Sequence, residues 1–234
     1  MEQTNREFAT ELRNEIENAP VNRNKFYAAF RDRTLTEGQM KKFIGQYFWF
    51  CKTFIRTLAG LVANTPDEQE DVRLELVKTL HSELGYGKKQ AIHLNQLRKF
   101  TKKLGLSEEY LNQVKLIPEV KNYIEDLRNL FGVSDFRESI GAEFGVEVTA
   151  YPEFTYLYPG LKKYKEFTDD DINFFKLHLV EEKLHGDWMT DAITNLGASG
   201  QDRELIRSGA LKTIKSWGKF WDGMYRFVFE EDGA

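Results

Sequence analysis

The chain has a single cysteine, Cys51, in 234 residues. That excludes an intrachain disulfide and a thiolate zinc cluster, and it fits a reducing compartment. Histidine is nearly as scarce, with four in all, and proline numbers five. Basic charge is not in excess, since 33 Lys and Arg face 37 Asp and Glu for a net charge of −4. No basic stripe marks a nucleic-acid surface or a polybasic membrane patch. The most apolar run, residues 43–63, is broken by Gln46, Lys52 and Arg56, so it reads as a buried helix and not a membrane span. The first fifteen residues, MEQTNREFATELRNE, are polar and lack the apolar core of a secretion signal. A cytoplasmic protein is expected. Strand-like alternation between turn signals is almost missing, as are repeats, low-complexity tracts and long linkers. The expectation is an all-α chain, residues 1–234 forming a single domain of about eight to ten helices.

The helical pattern has punctuation. Phe8, Leu12 and Ile16 form one stripe; Thr36 with Gln39 is a capping box that opens a long helix through Met40, Phe43, Tyr47, Phe50, Phe54 and Leu58. That helix is apolar around most of its circumference and belongs at the centre. Thr65 and Pro66 predict a restart, Gly105 and Gly132 predict stops, and a helix opened at Ser134 is expected to end before Pro152. Thr168 with Asp171 predicts the start of another helix, and a last one spans roughly 202–229.

The Thr168 segment carries the chemistry. Ile172, Phe175, Met189 and Ile193 define its core-facing stripe, and His178, Glu182 and His185 fall on that same stripe. Inward imidazoles and carboxylates are costly without a partner, and a metal ion takes both as ordinary ligands. The same test, an ionisable side chain on the apolar stripe of its own helix, selects Glu83 after Leu76 and Leu80. It also selects His93 before Leu97 and Phe100, and Glu147 after Ile140 and Phe144. Glu143, one turn before Glu147, competes with it on spacing alone. His81 points away from Glu83, and Glu181 lies off its stripe on the solvent side. Three glutamates and three histidines from four segments suit two metal ions with mixed nitrogen and oxygen ligands and open positions.

Four passages resemble a known family. Residues 24–63, with Phe26 and Tyr27, and residues 76–107, LVKTLHSELGYGKKQAIHLNQLRKFTKKLGLS, are two of them. The others are GAEFGVEVTAYPEFTYLYPGLKKY (141–164) and FFKLHLVEEKLHGDW (174–188). Together they resemble the haem-oxygenase-like helical fold shared by thiaminase-II, pyrroloquinoline-quinone synthase and CADD-like proteins. All six metal positions together resemble the haem-oxygenase-like dimetal oxidases, with Glu182 where aspartate is common. The resemblance also favours Glu147, thirteen residues before Gly160-Leu161, over Glu143. It implies an iron pair (manganese being the other metal these ligands suit) that uses O2 to oxidise a small amine, amino acid or fatty acid. N-oxygenation and oxidative C–C cleavage are the chemistries it implies, and a homodimer the assembly.

True haem oxygenases need an early histidine, and none precedes His81. Ferritin-like sites need two Glu-x-x-His motifs, and only Glu182 to His185 qualifies. Tyr27 matches a tyrosine to which CADD-like proteins give a chemical role, so it is the candidate catalytic residue. Val146 and Leu157 stand where those proteins carry a tyrosine and a lysine, against para-aminobenzoate formation. One ion is expected to draw on Glu83, His93 and His185, the other on Glu147, His178 and Glu182. Tyr47, Phe50, Phe144, Tyr151 and Phe175 are the expected pocket lining. Rival readings are a metal-free protein-interaction module that kept the fold, and a thiaminase-like hydrolase working through Cys51.

Overall fold

The computed structural model describes residues 3–196 and 198–230. Among them are ten α-helices and no strand: α1 (Asn5–Glu17), α2 (Lys25–Asp32), α3 (Glu37–Asn64), α4 (Glu70–Glu83) and α5 (His93–Lys103). The remainder are α6 (Glu108–Gln113), α7 (Pro118–Gly132), α8 (Phe136–Lys162), α9 (Asn173–Asn195) and α10 (Gly200–Tyr225), with a π-helical turn at Arg226–Glu230.

The starts are set by local chemistry. Thr4 with Glu7, Thr36 with Gln39 and Ser199 with Asp202 each form a reciprocal capping box, satisfying two otherwise orphaned donors. Four boundaries differ from the sequence reading. Thr65 spends its hydroxyl on the Leu61 carbonyl instead of capping forwards, so the next helix begins only at Glu70. Thr168 and Asp171 do bond reciprocally, but on a turn, and the helix starts five residues later at Asn173. The segment opened near Ser134 runs on through Pro152 and Pro159 to Lys162. Each proline removes one backbone donor, and α8 tolerates the loss because α9 and α10 both pack along it. The last α-helix gives way to the π turn after Tyr225.

α8 and α10 touch backbone to backbone. A Cβ added to Gly141 would run into the Ile206 carbonyl oxygen, and one on Gly209 into that of Glu138. Gly209→Ala is expected to cost about 2 kcal/mol or more through overpacking, read as a lower urea midpoint. An unchanged midpoint would contradict this close approach.

The core is one continuous cluster with an unusual aromatic share. Tyr47 and Phe50 of α3 meet Trp217, Phe220 and Trp221 of α10 and Tyr123 of α7. These rings form the floor beneath the inward polar residues of α4, α5, α8 and α9.

Candidate metal centre

Glu83 is the last residue of α4 and His93 the first of α5, and the link between them reverses the chain. Gly85 makes that reversal at φ 66°, and a Cβ there would strike the Ala91 carbonyl carbon. Only glycine fits the position without strain. The reversal brings His93 Nδ1 to 3.0 Å from Glu83 Oε1, both side chains buried.

On α9 the three inward residues occupy successive turns. His178 Nδ1 donates to the Phe174 carbonyl at 2.5 Å, which leaves Nε2 facing the cluster, 3.7 Å from Glu182 Oε1. A backbone acceptor on one ring nitrogen fixes the tautomer that presents the other as a ligand. The His178 and His93 rings lie 4.6 Å apart. His185 Nδ1 stands 3.0 Å from Glu147 Oε2 on α8 and 3.6 Å from Glu182 Oε2. All six residues picked from the sequence therefore meet in one place.

Their grouping differs from the expected partition. Ligand atoms of Glu83, His93 and His178 lie within 4.8 Å of one another, as do those of Glu83, Glu182 and His185. His178 and His185 are seven residues apart, about 10 Å along a helix axis. They serve opposite ends of the donor set, with Glu83 between them. Glu147 joins the end that holds His185.

The electrostatics fit a cation. Burial pushes the Glu182 carboxyl well above its usual range. Burial likewise holds His178 down, to about 3, reinforced by neighbouring His93, so its imidazole is neutral. Burial opposes ionisation of Glu83 as well, but His93 outweighs it and brings the carboxylate to about 2. Burial also opposes charge on His185, yet Glu147 and then Glu182 hold its imidazole well above the ordinary value. Glu147 Oε1, Glu182 Oε2 and His185 Nε2 are buried without a hydrogen-bond partner. Unpaired polar atoms inside a protein cost roughly 1–3 kcal/mol each. A divalent ion would relieve several of them at once.

Glu143 is fully buried with both oxygens unpartnered, and burial together with Glu147 pushes it well above the carboxylate range. It is a fourth acid and a seventh ionisable residue at the cluster, not a replacement for Glu147. Glu181 is not simply solvated, because it accepts from the Ser82 and Tyr86 hydroxyls and so ties α9 to the end of α4.

A cavity opens beside these donors. Tyr47 and Phe50 line it, together with Phe54, Tyr123, Phe154 and Trp217. The other three expected lining residues do not. Phe144 is fully buried in the core, Phe175 packs behind Tyr47 and Phe154, and Tyr151 lies under the Lys183 ammonium. Tyr27 does not reach the cavity either. It is stacked on Tyr156 and packs against the Trp221 ring, which in turn contacts Tyr47. Cys51 does line the cavity, but burial, then Glu153 and Glu83, push its thiol well up. A protonated thiol is a poor nucleophile, which disfavours the hydrolase reading.

Sequence reasoning missed Glu153, a buried cavity residue that accepts a 2.6 Å hydrogen bond from Tyr47. It follows Pro152, where the helix was expected to have ended, so the stripe test was not applied to it. The stripe of Ile140, Phe144 and Glu147 continues to Phe154; Glu153 instead shares a face with Val146, Thr149 and Ala150, which also line the cavity.

A family model of iron-containing redox enzymes matches residues 41–218. Over 226 residues, 93% of this chain and 91% of the relative, the sequence is 22% identical to a 4-aminobenzoate synthase of Nitrosomonas europaea. Among solved structures, a CADD-like protein of unknown function from Nostoc punctiforme superposes with a TM-score of 0.78 at 15% identity, covering 94% of this chain and 98% of that one. A TenA homologue from Pseudomonas syringae also gives 0.78, at 16% identity, covering 94% and 93%. The fold is thus the haem-oxygenase-like helical one. Among the described residues, no helix is long and apolar enough to cross a membrane.

Proposed function

The chain belongs to the iron-containing redox enzymes of haem-oxygenase-like fold, and we propose that it is a non-haem, two-iron, O2-dependent oxidase of a small molecule. The observation that carries this reading is the convergence of six buried imidazole and carboxylate side chains with several ligand atoms left unpartnered. Glu83, His93 and His178 would hold one ion. Glu182, His185 and Glu147 would hold the other, with Glu83 placed to reach both. Ferrous ions in such a nitrogen and oxygen set supply electrons to O2 and keep positions open for it.

The protein's own share is positional. The Phe174 carbonyl fixes the His178 ring, and the turn at Gly85 fixes Glu83 against His93. The aromatic wall of Phe50, Phe154 and Trp217 keeps water from the donors and shapes the space for substrate. The family description supports redox work, and the Nitrosomonas relative's name, a 4-aminobenzoate synthase, supports a small-molecule substrate. Its product is not carried over, because Val146 and Leu157 depart from the pattern and Tyr27 lies outside the cavity.

The test is protein loaded anaerobically with Fe(II) and then exposed to O2. Oxygen uptake well above that of the same free Fe(II), lost in His178→Ala and Glu182→Ala, is the expected result. Uptake matching free iron, or undiminished in both variants, contradicts the reading.

A further inference from the structure

One acid in the cavity belongs to neither donor group. Glu153 sits on α8 six residues beyond Glu147, about 9 Å farther along the helix axis, and its side chain is 1% exposed. Its hydrogen-bond donor is the Tyr47 hydroxyl, at 2.6 Å on Oε1. Phe50, Phe54, Phe154 and Trp217 share the wall with the donor residues Glu83, His93, Glu147, His178 and Glu182, and no lysine or arginine lines it. A buried carboxyl with no counter-ion is costly. Here it lines the cavity beside the donor residues.

We infer that Glu153, steadied by Tyr47, anchors the positively charged nitrogen of the substrate, which is an amine with an apolar, ring-sized body. Three observations converge on this chemistry. The wall carries four glutamates, Glu83, Glu147, Glu153 and Glu182, and neither lysine nor arginine to pair a free carboxylate. The aromatic faces accept both an apolar body and a cation. The Tyr47 donor holds one carboxyl oxygen in place, leaving the other for the ligand. Burial pushes Glu153 up to about 8, so the empty cavity holds it protonated near neutral pH, and a cationic ligand would restore its charge. The inference rests on the oxidase reading for what becomes of the amine, but not for its binding.

Three probes of similar shape separate the alternatives: 2-phenylethylamine, 2-phenylethanol and 3-phenylpropanoate. Binding is followed by calorimetry and by quenching of Trp217, which lines the cavity. Protein as isolated and protein loaded anaerobically with Fe(II) are both used. The amine is expected to bind about tenfold or more tightly than either analogue, as a charge-assisted contact requires. Glu153→Gln keeps the side-chain shape and an acceptor for Tyr47. It is expected to lose that preference while its affinity for the alcohol and its iron uptake stay unchanged. Equal or tighter binding of the alcohol or the acid by the native protein, no binding of the amine, or full amine affinity in Glu153→Gln overturns the assignment. Failure of the two-iron reading would appear separately, as missing iron uptake in the native protein.

Discussion

Glu182→Gln is expected to lose iron and activity together while the metal-free protein becomes no less stable, and even more so. Glu182 lies in the donor group with Glu83 and His185, and its Oε2 is buried with no hydrogen-bond partner. Outer-shell changes at metal sites already cost about 10–100-fold, so removing a donor should reduce iron affinity and turnover by about two orders of magnitude or more. Without metal, the same carboxyl is a liability crowded by Glu147 and Glu83. Replacing it with a neutral amide of the same shape removes that repulsion. The opposite signs are the point, because a merely structural glutamate would lower stability when replaced. Metal analysis after anaerobic loading and a melting curve of the metal-free protein read the two effects. A variant that melts lower yet keeps its iron would show that Glu182 serves packing and not the metal.

The second large effect concerns Glu153 and pH. Burial raises its folded-state pKa to about 8 from an ordinary value of 4.5. An acid with a raised pKa holds its proton in the folded state where the unfolded chain has already released it. Its contribution to stability is therefore complete below about pH 4.5 and is lost progressively as pH rises to about 8. The loss is on the order of a few kcal/mol. Glu153→Gln cannot ionise, so the variant should gain on the native protein across this window. At pH 8 it is expected to melt several degrees higher, while at pH 5 the two should nearly coincide. Each kcal/mol corresponds to about 2–4 °C for a chain of this length. A constant difference in melting temperature between pH 5 and pH 8 would mean that Glu153 is not held protonated by its surroundings. The residue assigned to hold substrate is thus expected to weaken the empty protein.

Much of this arrangement was legible in the sequence because burial imposes a period. His178, Glu182 and His185 share a stripe with Ile172 and Met189, and only a helix with that face inward satisfies all five positions. Glu83 and His93 were legible for the same reason, each from its own leucines. What failed was local punctuation read without its tertiary setting. Pro152 and Pro159 should end a helix by propensity, yet α9 and α10 hold α8 together through both. Thr65 and Thr168 have the composition of caps, but a hydroxyl has several acceptors within reach, and sequence does not rank them. The grouping of donor atoms also differs from the expected division. It depends on the 10 Å axial offset between His178 and His185 and on the turn at Gly85, a three-dimensional relation that no spacing encodes. Pocket lining was the weakest reading, since an inward aromatic on a stripe faces either the packed core, as Phe144 does, or the cavity, as Phe50 does.

The most direct measurement is an anaerobic Fe(II) titration of the native protein and of Glu83→Ala, with bound iron counted by metal analysis and its environment read by Mössbauer spectroscopy. Because Glu83 stands in both donor groups, the native chain is expected to take up about two ferrous ions in nitrogen and oxygen surroundings, and the variant to retain less than half of that. A native chain that binds less than one ion, or a Glu83→Ala variant that binds as much as the native one, would contradict the account.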